Sequence, residues 1–437
     1  MHYQIELEYY SDIQNAYQNL SQLPGFVLLE STDRFHGRYD IVSAYPYERI
    51  VIDKTTHDKQ AVLDYLRRKL LLKKSVGPLP FQGGAIGYIS YDLGAELHGI
   101  CSPSQPTLND MPLLDLGLYN WAIITDHKLK KVELFVMEDA GPTMGIIDEV
   151  VQLWSNNTSE SICTLTRDFH SLVSREDYQQ AFNNIKHALY EGRSYQVNLT
   201  QAFLAGFTGD PWGFYKKVSN TNPVPYSAFL RTSKVDVLSF SPERFLFHED
   251  GHLLTSPIKG TIGRSDHPAD DVFAKDRLKS SAKNYAENVM IVDLLRNDLG
   301  KIAKPGSVEV TSLCAIQSYK SVHHLVSDLQ AECIEGLHPL DLFLSCFPGG
   351  SITGAPKLES MKIINEQEPY GRGIYCGSIG YFSFHGRFDT NVAIRTVTAK
   401  NNMLHLSAGG GIVIDSESED EYRECYIKID AIINGLK

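Results

Sequence analysis

An ammonium stands in an unexpected place in this chain of 437 residues. Lys259 closes the apolar run of TSPIKGTIGR (255–264), beside a glycine turn. Glu243 lies upstream in VDVLSFSPERFLFHEDGHLLTSPIKGT, where two β-prone runs flank Asp250-Gly251, a strong hairpin-turn signal. Folding about that turn brings Glu243 beside Lys259. A three-residue loop, Asp250 to His252, sets them directly opposite, whereas a two-residue loop offsets them by one and turns them to opposite faces.

Carboxylates form a second group. In KNYAENVMIVDLLRNDLGKIA, residues Met290, Ile291, Leu294 and Leu295 follow Glu287 at helical spacing, so Glu287 opens the apolar stripe. A carboxylate heading into a core needs a cation; the alternative, the favoured one for a lone glutamate, is a stripe end that reaches solvent at the first helical turn. In SESEDEYRECYIKIDAIING, Glu421, Glu424 and Lys428 share one helix face, next to the apolar face of Tyr422, Cys425, Ile429, Ile432 and Ile433. One reading is a solvated face with a Glu424–Lys428 pair. The other is two carboxylates and a lysine beside a core, able to hold Mg²⁺, which takes one or two protein carboxylates plus substrate and water.

Several loops expose backbone or lone cations. FPGGSITGAPK (347–357) has the glycine spacing of a phosphate loop but replaces its Gly-Lys-Ser/Thr with Gly354-Ala355-Pro356. Ser351 and Thr353 there offer hydroxyls and N–H groups to a carboxylate instead, ahead of an expected helix. SAGGGIV (407–413) sets Gly409, Gly410 and Gly411 in a strand-like run, a mark of close ligand approach. Arg395 is expected to share a strand face with Ala393 and Val397, and an arginine there pairs with an anion. His324, in SVHHLVSDL, is ambiguous between structure and chemistry.

The elements that must position these groups read as α+β with antiparallel sheets. Ser174 with Asp177 caps a helix that runs through Ala181, Ile185, Ala188 and Leu189 to Gly192. Tyr195 to Phe203 alternates like a strand, and Ile374 to Val413 reads as a continuous antiparallel meander. Strict βαβ alternation is missing, which argues against a doubly wound parallel fold. A polar stretch, Ser155 to Asp168, is the expected linker or exposed loop between an N-terminal region (1–154) and a catalytic region (169–437), which together form one compact unit.

Composition excludes other classes. The net charge of −12 disfavours nucleic acid. No apolar window is long enough for a membrane span. The N-terminus has neither a basic nor an apolar leader segment, and the seven cysteines are scattered without a CxxC pair. Together these suggest free thiols in the cytoplasm.

The segments YQVNLTQ (195–201), SPERF (241–245), PIKGT (257–261), AENVMIVDLLRNDLG (286–300), HLVS (324–327), GGSITGAPK (349–357), YCGSIGY (375–381), AIRT (393–396), GGGIVIDS (409–416) and EYREC (421–425) closely resemble the chorismate-utilising enzymes. That family includes anthranilate, aminodeoxychorismate, isochorismate and salicylate synthases. The resemblance covers Tyr195 to the C-terminus in the expected order. It implies antiparallel sheets packed as a sandwich with helices outside.

The resemblance also implies the chemistry. Members that form 4-amino-4-deoxychorismate, on the p-aminobenzoate and folate route, carry lysine in PIxGT, as Lys259 here; anthranilate synthases carry alanine. Lys259 would attack C2 of chorismate as a neutral amine and expel the 4-hydroxyl. Glu243 would protonate that leaving group, and ammonia would displace the lysine. Glu287 and Glu424 would hold Mg²⁺, with Glu421 acting through water. Lys428 and the Gly409–Gly411 backbone would complete the ring-carboxylate site, and Tyr375 and Arg395 would hold the enolpyruvyl carboxylate. His324 and Ser351 match substrate-proximal positions. Gln196 stands where the water-using members carry a lysine, which favours ammonia as nucleophile. No cysteine lies in the Gly-x-Cys-x-Gly setting of a glutaminase, so a separate glutamine amidotransferase subunit would supply ammonia. VLLES (27–31) and NPVPYSAF (222–229) resemble the two halves of a tryptophan pocket, formed by Leu29, Glu30, Ser31, Pro225, Tyr226 and Ser227. The alternative is anthranilate formation with loss of pyruvate.

Overall fold

Strand residues here alternate between two apolar layers. Val27 joins one cluster and Leu28 the other; Ile124 and Ile123 divide the same way, as do Ala228 and Phe229, and Val237 and Leu238. This is the period of two expected when a sheet is buried on both faces. The computed structural model describes residues 2–105, 107–137, 144–156, 160–320 and 322–435. Among these, the strands form one sheet of twelve and one of ten, and every pairing is antiparallel. One cluster takes residues from both sheets and fills the space between them. The other lies on the outer face of the twelve-stranded sheet, under helices Ile13–Leu20, Arg175–Tyr190, Pro211–Thr221 and Ser418–Asn434. The architecture is the antiparallel α+β sandwich with outer helices.

Strands from the first 137 residues are hydrogen-bonded into both sheets. Val27–Glu30 pairs with Tyr226–Arg231, and Gly84–Ile89 pairs with Ser378–Ser383. The expected linker is not all loop: Cys163–Ser171 is a strand bonded to Gln196–Gly209, and residues 157–159 lie outside the described residues. Its alternate exposed residues gave it a polar composition, because a strand at the margin of a sheet buries only one face. The helix Arg175–Tyr190 begins as expected, with the Ser174 hydroxyl accepting from the Asp177 N–H.

The C-terminal meander is broken where one continuous strand was expected. Phe388–Asn391 belongs to the ten-stranded sheet, and Thr396–Lys400 belongs to the twelve-stranded sheet. The chain crosses between sheets at residues 392–395, so Arg395 does not sit on a strand face with Ala393 and Val397. It occupies the crossing, with φ of 51°.

Candidate active site

The Asp250-Gly251 hairpin has the two-residue loop, with φ of 48° and 81° and Glu249 paired to His252. That is the alternative expected to turn Glu243 and Lys259 apart. Irregularities on both sides of the turn reverse the outcome. The register slips between Arg244 and Phe247, Pro257 ends the strand His252–Ser256, and the next strand, Ile258–Gly263, slips again between Ile258 and Thr261. Gly260, at φ 79°, supplies the left-handed backbone of that second bulge. Bulges re-aim side chains, and both residues now reach Ser351. Lys259 Nζ donates to the Ser351 carbonyl at 3.2 Å, and Ser351 Oγ donates to Glu243 Oε1 at 2.8 Å.

Burial tunes this pair in opposite directions. The Glu243 carboxyl is buried and pushed up from 4.5 to about 7, with the Ser351 hydroxyl, Lys259 and the Ile258 N–H pulling the other way. Desolvation lowers the Lys259 ammonium from its ordinary value, opposed by Glu287 and then Glu243. Taking a charge out of water favours the neutral form of each. A neutral amine and a protonated acid are the forms needed for nucleophilic attack with a protonated leaving group.

The second group gathers from three elements. Glu287 lies in helix Ala282–Gly300, Glu421 and Glu424 in helix Ser418–Asn434, and Gly409–Gly411 in strand Met403–Ile412. Burial raises the Glu287 and Glu421 carboxyls. Against the rise from burial, Lys428 at 2.6 Å holds Glu424 below its ordinary value. Lys428 Nζ also donates to the Gly409 carbonyl at 2.7 Å. The glycine run is a packing requirement: a Cβ on Gly409 would lie 2.2 Å from the Leu199 carbonyl, and one on Gly410 would lie 2.7 Å from Glu421 Oε2. Among the described residues, no three His, Cys, Asp or Glu side chains converge as a closed metal cage.

Arg395 is half-buried, and no acid or acceptor side chain is paired with its guanidinium among the described residues. Desolvation alone lowers its pKa. His324 is buried, with Nδ1 2.8 Å from the Thr261 hydroxyl. Burial, and then Arg395, push it down to about 3, so its imidazole is neutral near pH 7. Tyr375 is buried, with its hydroxyl raised well above the ordinary value by desolvation. Gln196 is fully buried beside Gly411, and neither of its amide atoms has a hydrogen-bond partner among the described residues.

Arg372 was not legible in the sequence as a site residue. It is 5% exposed. Its guanidinium grips Glu368 at 2.6 and 2.8 Å and donates to the Ile352 and Asn198 carbonyls at 2.9 and 3.1 Å. It thus ties the turn carrying Ser351 to the strand carrying Gln196. The only sequence signal was Glu368 four residues before Arg372, in a stretch broken by Pro369 and Gly371.

A cavity of about 570 Å³ lies between the sheets, away from this cluster. Leu29, Glu30, Ser31, Pro225, Tyr226 and Ser227 all line it. Glu30 accepts from Gln14 at 3.1 Å, Tyr215 at 2.9 Å and Arg34 at 3.3 Å. Burial, with nearby Asp40, raises its carboxyl to about 7.

The family model for chorismate binding enzymes matches residues 25–434, and the chain belongs to that family. Its relatives include the aminodeoxychorismate synthase component 1 of Escherichia coli (strain K12), 40% identical over 96% of this chain and 95% of that protein. The anthranilate synthase component 1 of Lactococcus lactis subsp. lactis (strain IL1403) is 33% identical over 93% of each. The crystal structure of anthranilate synthase component I from Streptococcus pneumoniae TIGR4 superposes with a TM-score of 0.81 at 28% identity, over 98% of this chain and 99% of that one. Among the described residues, no helix is long and apolar enough to cross a membrane.

Proposed function

We propose that this chain is an aminodeoxychorismate synthase component 1, which aminates chorismate at C4. The observation that carries the reading is the link from Lys259 through Ser351 to Glu243. The neutral Lys259 amine attacks ring carbon C2, the two conjugated ring double bonds shift, and the C4–O bond breaks. Glu243 gives its proton to the departing hydroxide, which leaves as water. Ammonia then attacks C4, both double bonds shift back, and the bond from C2 to the lysine nitrogen breaks. A proton from the incoming nitrogen returns to Glu243, and Lys259 is again a free amine.

The remaining residues bind and orient. Arg395 is suited to a bidentate grip on the enolpyruvyl carboxylate, with Tyr375 beside it. Lys428 and the Gly409–Gly411 backbone face the ring carboxylate. Glu287 and Glu424 would hold Mg²⁺, with Glu421 acting through water. The fit rests on Glu287, whose carboxyl is raised by burial and raised further by nearby Glu424, since Mg²⁺ needs few protein ligands. Bound there, Mg²⁺ would supply neutralisation of the substrate carboxylate. His324, neutral and fixed by Thr261, orients substrate without adding charge.

Ammonia comes from a glutamine amidotransferase subunit. Residues 1–154 contribute a tryptophan pocket to a single unit with the catalytic region, 169–437, and the protein works in the cytoplasm. The test is to incubate the purified chain with chorismate, Mg²⁺ and an ammonium salt, without glutamine or partner, and identify the product by chromatography and mass. 4-Amino-4-deoxychorismate supports the reading. Anthranilate with released pyruvate overturns it in favour of the second reading, which the Glu30-lined cavity keeps open.

A further inference from the structure

Lys283 sits where helix physics does not want it. Helix Ala282–Gly300 is capped by the Ser281 side chain, so Lys283 is its second residue, at the positive end of the helix dipole. That first turn holds no acid. Lys283 also precedes Glu287 by four residues, the less favourable order for such a pair. A lysine that breaks two local rules has its reason elsewhere in the fold.

Lys283 faces two carboxylates. Its Nζ lies 4.0 Å from Glu287 Oε1 and 3.8 Å from Glu421 Oε1, bridging two helices. Among the described residues, Glu287 and Glu421 have no other ion-pair partner, whereas Glu424 has Lys428 at 2.6 Å. Both contacts of Lys283 are long for a charged hydrogen bond. The Glu287 and Glu421 side chains are 18% and 6% exposed, while that of Lys283 is 54% exposed and can swing into water.

We propose that Lys283 is a resident counter-cation of the Glu287–Glu421 pair and that it competes with the divalent cation for these carboxylates. In the metal-free protein its ammonium offsets part of the pair's charge and holds the two helices together. When the dication enters, the lysine is displaced to solvent, so Lys283 sets how tightly the metal is held. The inference rests on the reading of these glutamates as the metal site.

The test uses the full-length protein without substrate. Mn²⁺ serves as the probe, with free ion read by electron paramagnetic resonance, and thermal melting is followed with and without metal. Lys283→Met should bind Mn²⁺ about tenfold tighter than the wild type, since a competing charge is gone. Its metal-free melting temperature should fall, and saturating Mn²⁺ should restore it to the wild-type value or above. Lys279→Met, at the exposed end of the preceding helix, controls for net charge and should change the affinity less than about twofold. Equal affinity in Lys283→Met and wild type overturns the proposal, as does an equal gain in Lys279→Met. If the wild type binds no Mn²⁺ either alone or with chorismate, the metal reading itself falls.

Discussion

Replacing Arg395 with methionine should make the protein more stable and unable to hold its substrate. The guanidinium is half-buried, desolvated and without an ion-pair partner among the described residues, so the free protein carries the cost of an uncompensated cation. A buried polar group left unsatisfied costs about 1–3 kcal/mol, and partial exposure places Arg395 near the lower end. Methionine keeps most of the apolar stem and removes the charge, so stability should rise by about 1 kcal/mol. The backbone at φ 51° is unchanged by the exchange and contributes to neither side. The substrate side has the opposite sign. Losing one partner of a buried charge pair costs about 2–5 kcal/mol, which at its middle is more than about 100-fold in chorismate affinity. Urea unfolding without ligand reads the first effect, and calorimetric titration with chorismate and Mg²⁺ reads the second. A variant destabilised by more than about 1 kcal/mol, or one that binds chorismate within about threefold of wild type, refutes the assignment of Arg395 as an anion-binding residue.

Lys259→Ala should abolish turnover while retaining Mg²⁺-dependent chorismate binding; intact-protein mass spectrometry of the wild type after rapid quenching should show an adduct that the variant never forms. Glu243 is held at about 7 when folded, above its ordinary 4.5, so its stabilising contribution is full below pH 4.5 and disappears as pH rises through 7. Glu243→Gln should therefore leave stability near pH 4 unchanged and raise it at pH 8 by up to about 3 kcal/mol, measured by urea unfolding at both values. Arg372→Met strands Glu368 in the core and should cost about 3–5 kcal/mol. Adding Glu368→Gln should recover part of that loss, and strict additivity of the two changes in a double-mutant cycle would argue against the pair acting as a unit.

Much of the site was legible because its signals are local. The Ser174 cap, the stripe behind Glu287 and the shared face of Glu421, Glu424 and Lys428 depend only on helical spacing, which short-range sterics impose on any such sequence. The hairpin turn was equally local: Asp250-Gly251 prefers the two-residue loop, and that loop formed. The same local reasoning turned Glu243 and Lys259 to opposite faces, and here it failed. Two register slips, each answering to neighbouring strands rather than to the turn, brought both side chains to Ser351.

The sequence by itself determined the class of fold, the helices and their buried faces, and the set of groups available for chemistry. Tertiary structure alone decided which of those groups meet. Arg395 leaves its expected strand because the chain must pass from one sheet to the other at residues 392–395, a demand that arises only once two sheets stack. Arg372 becomes a hub because two distant carbonyls and a buried glutamate surround it, contacts spanning from four to 174 positions along the chain. Lys283 looks like a surface lysine until a second helix sets Glu421 against it. Periodicity reports which face of an element is buried. It carries no information about what that face will touch, because the partner is set by the summed packing of the whole chain.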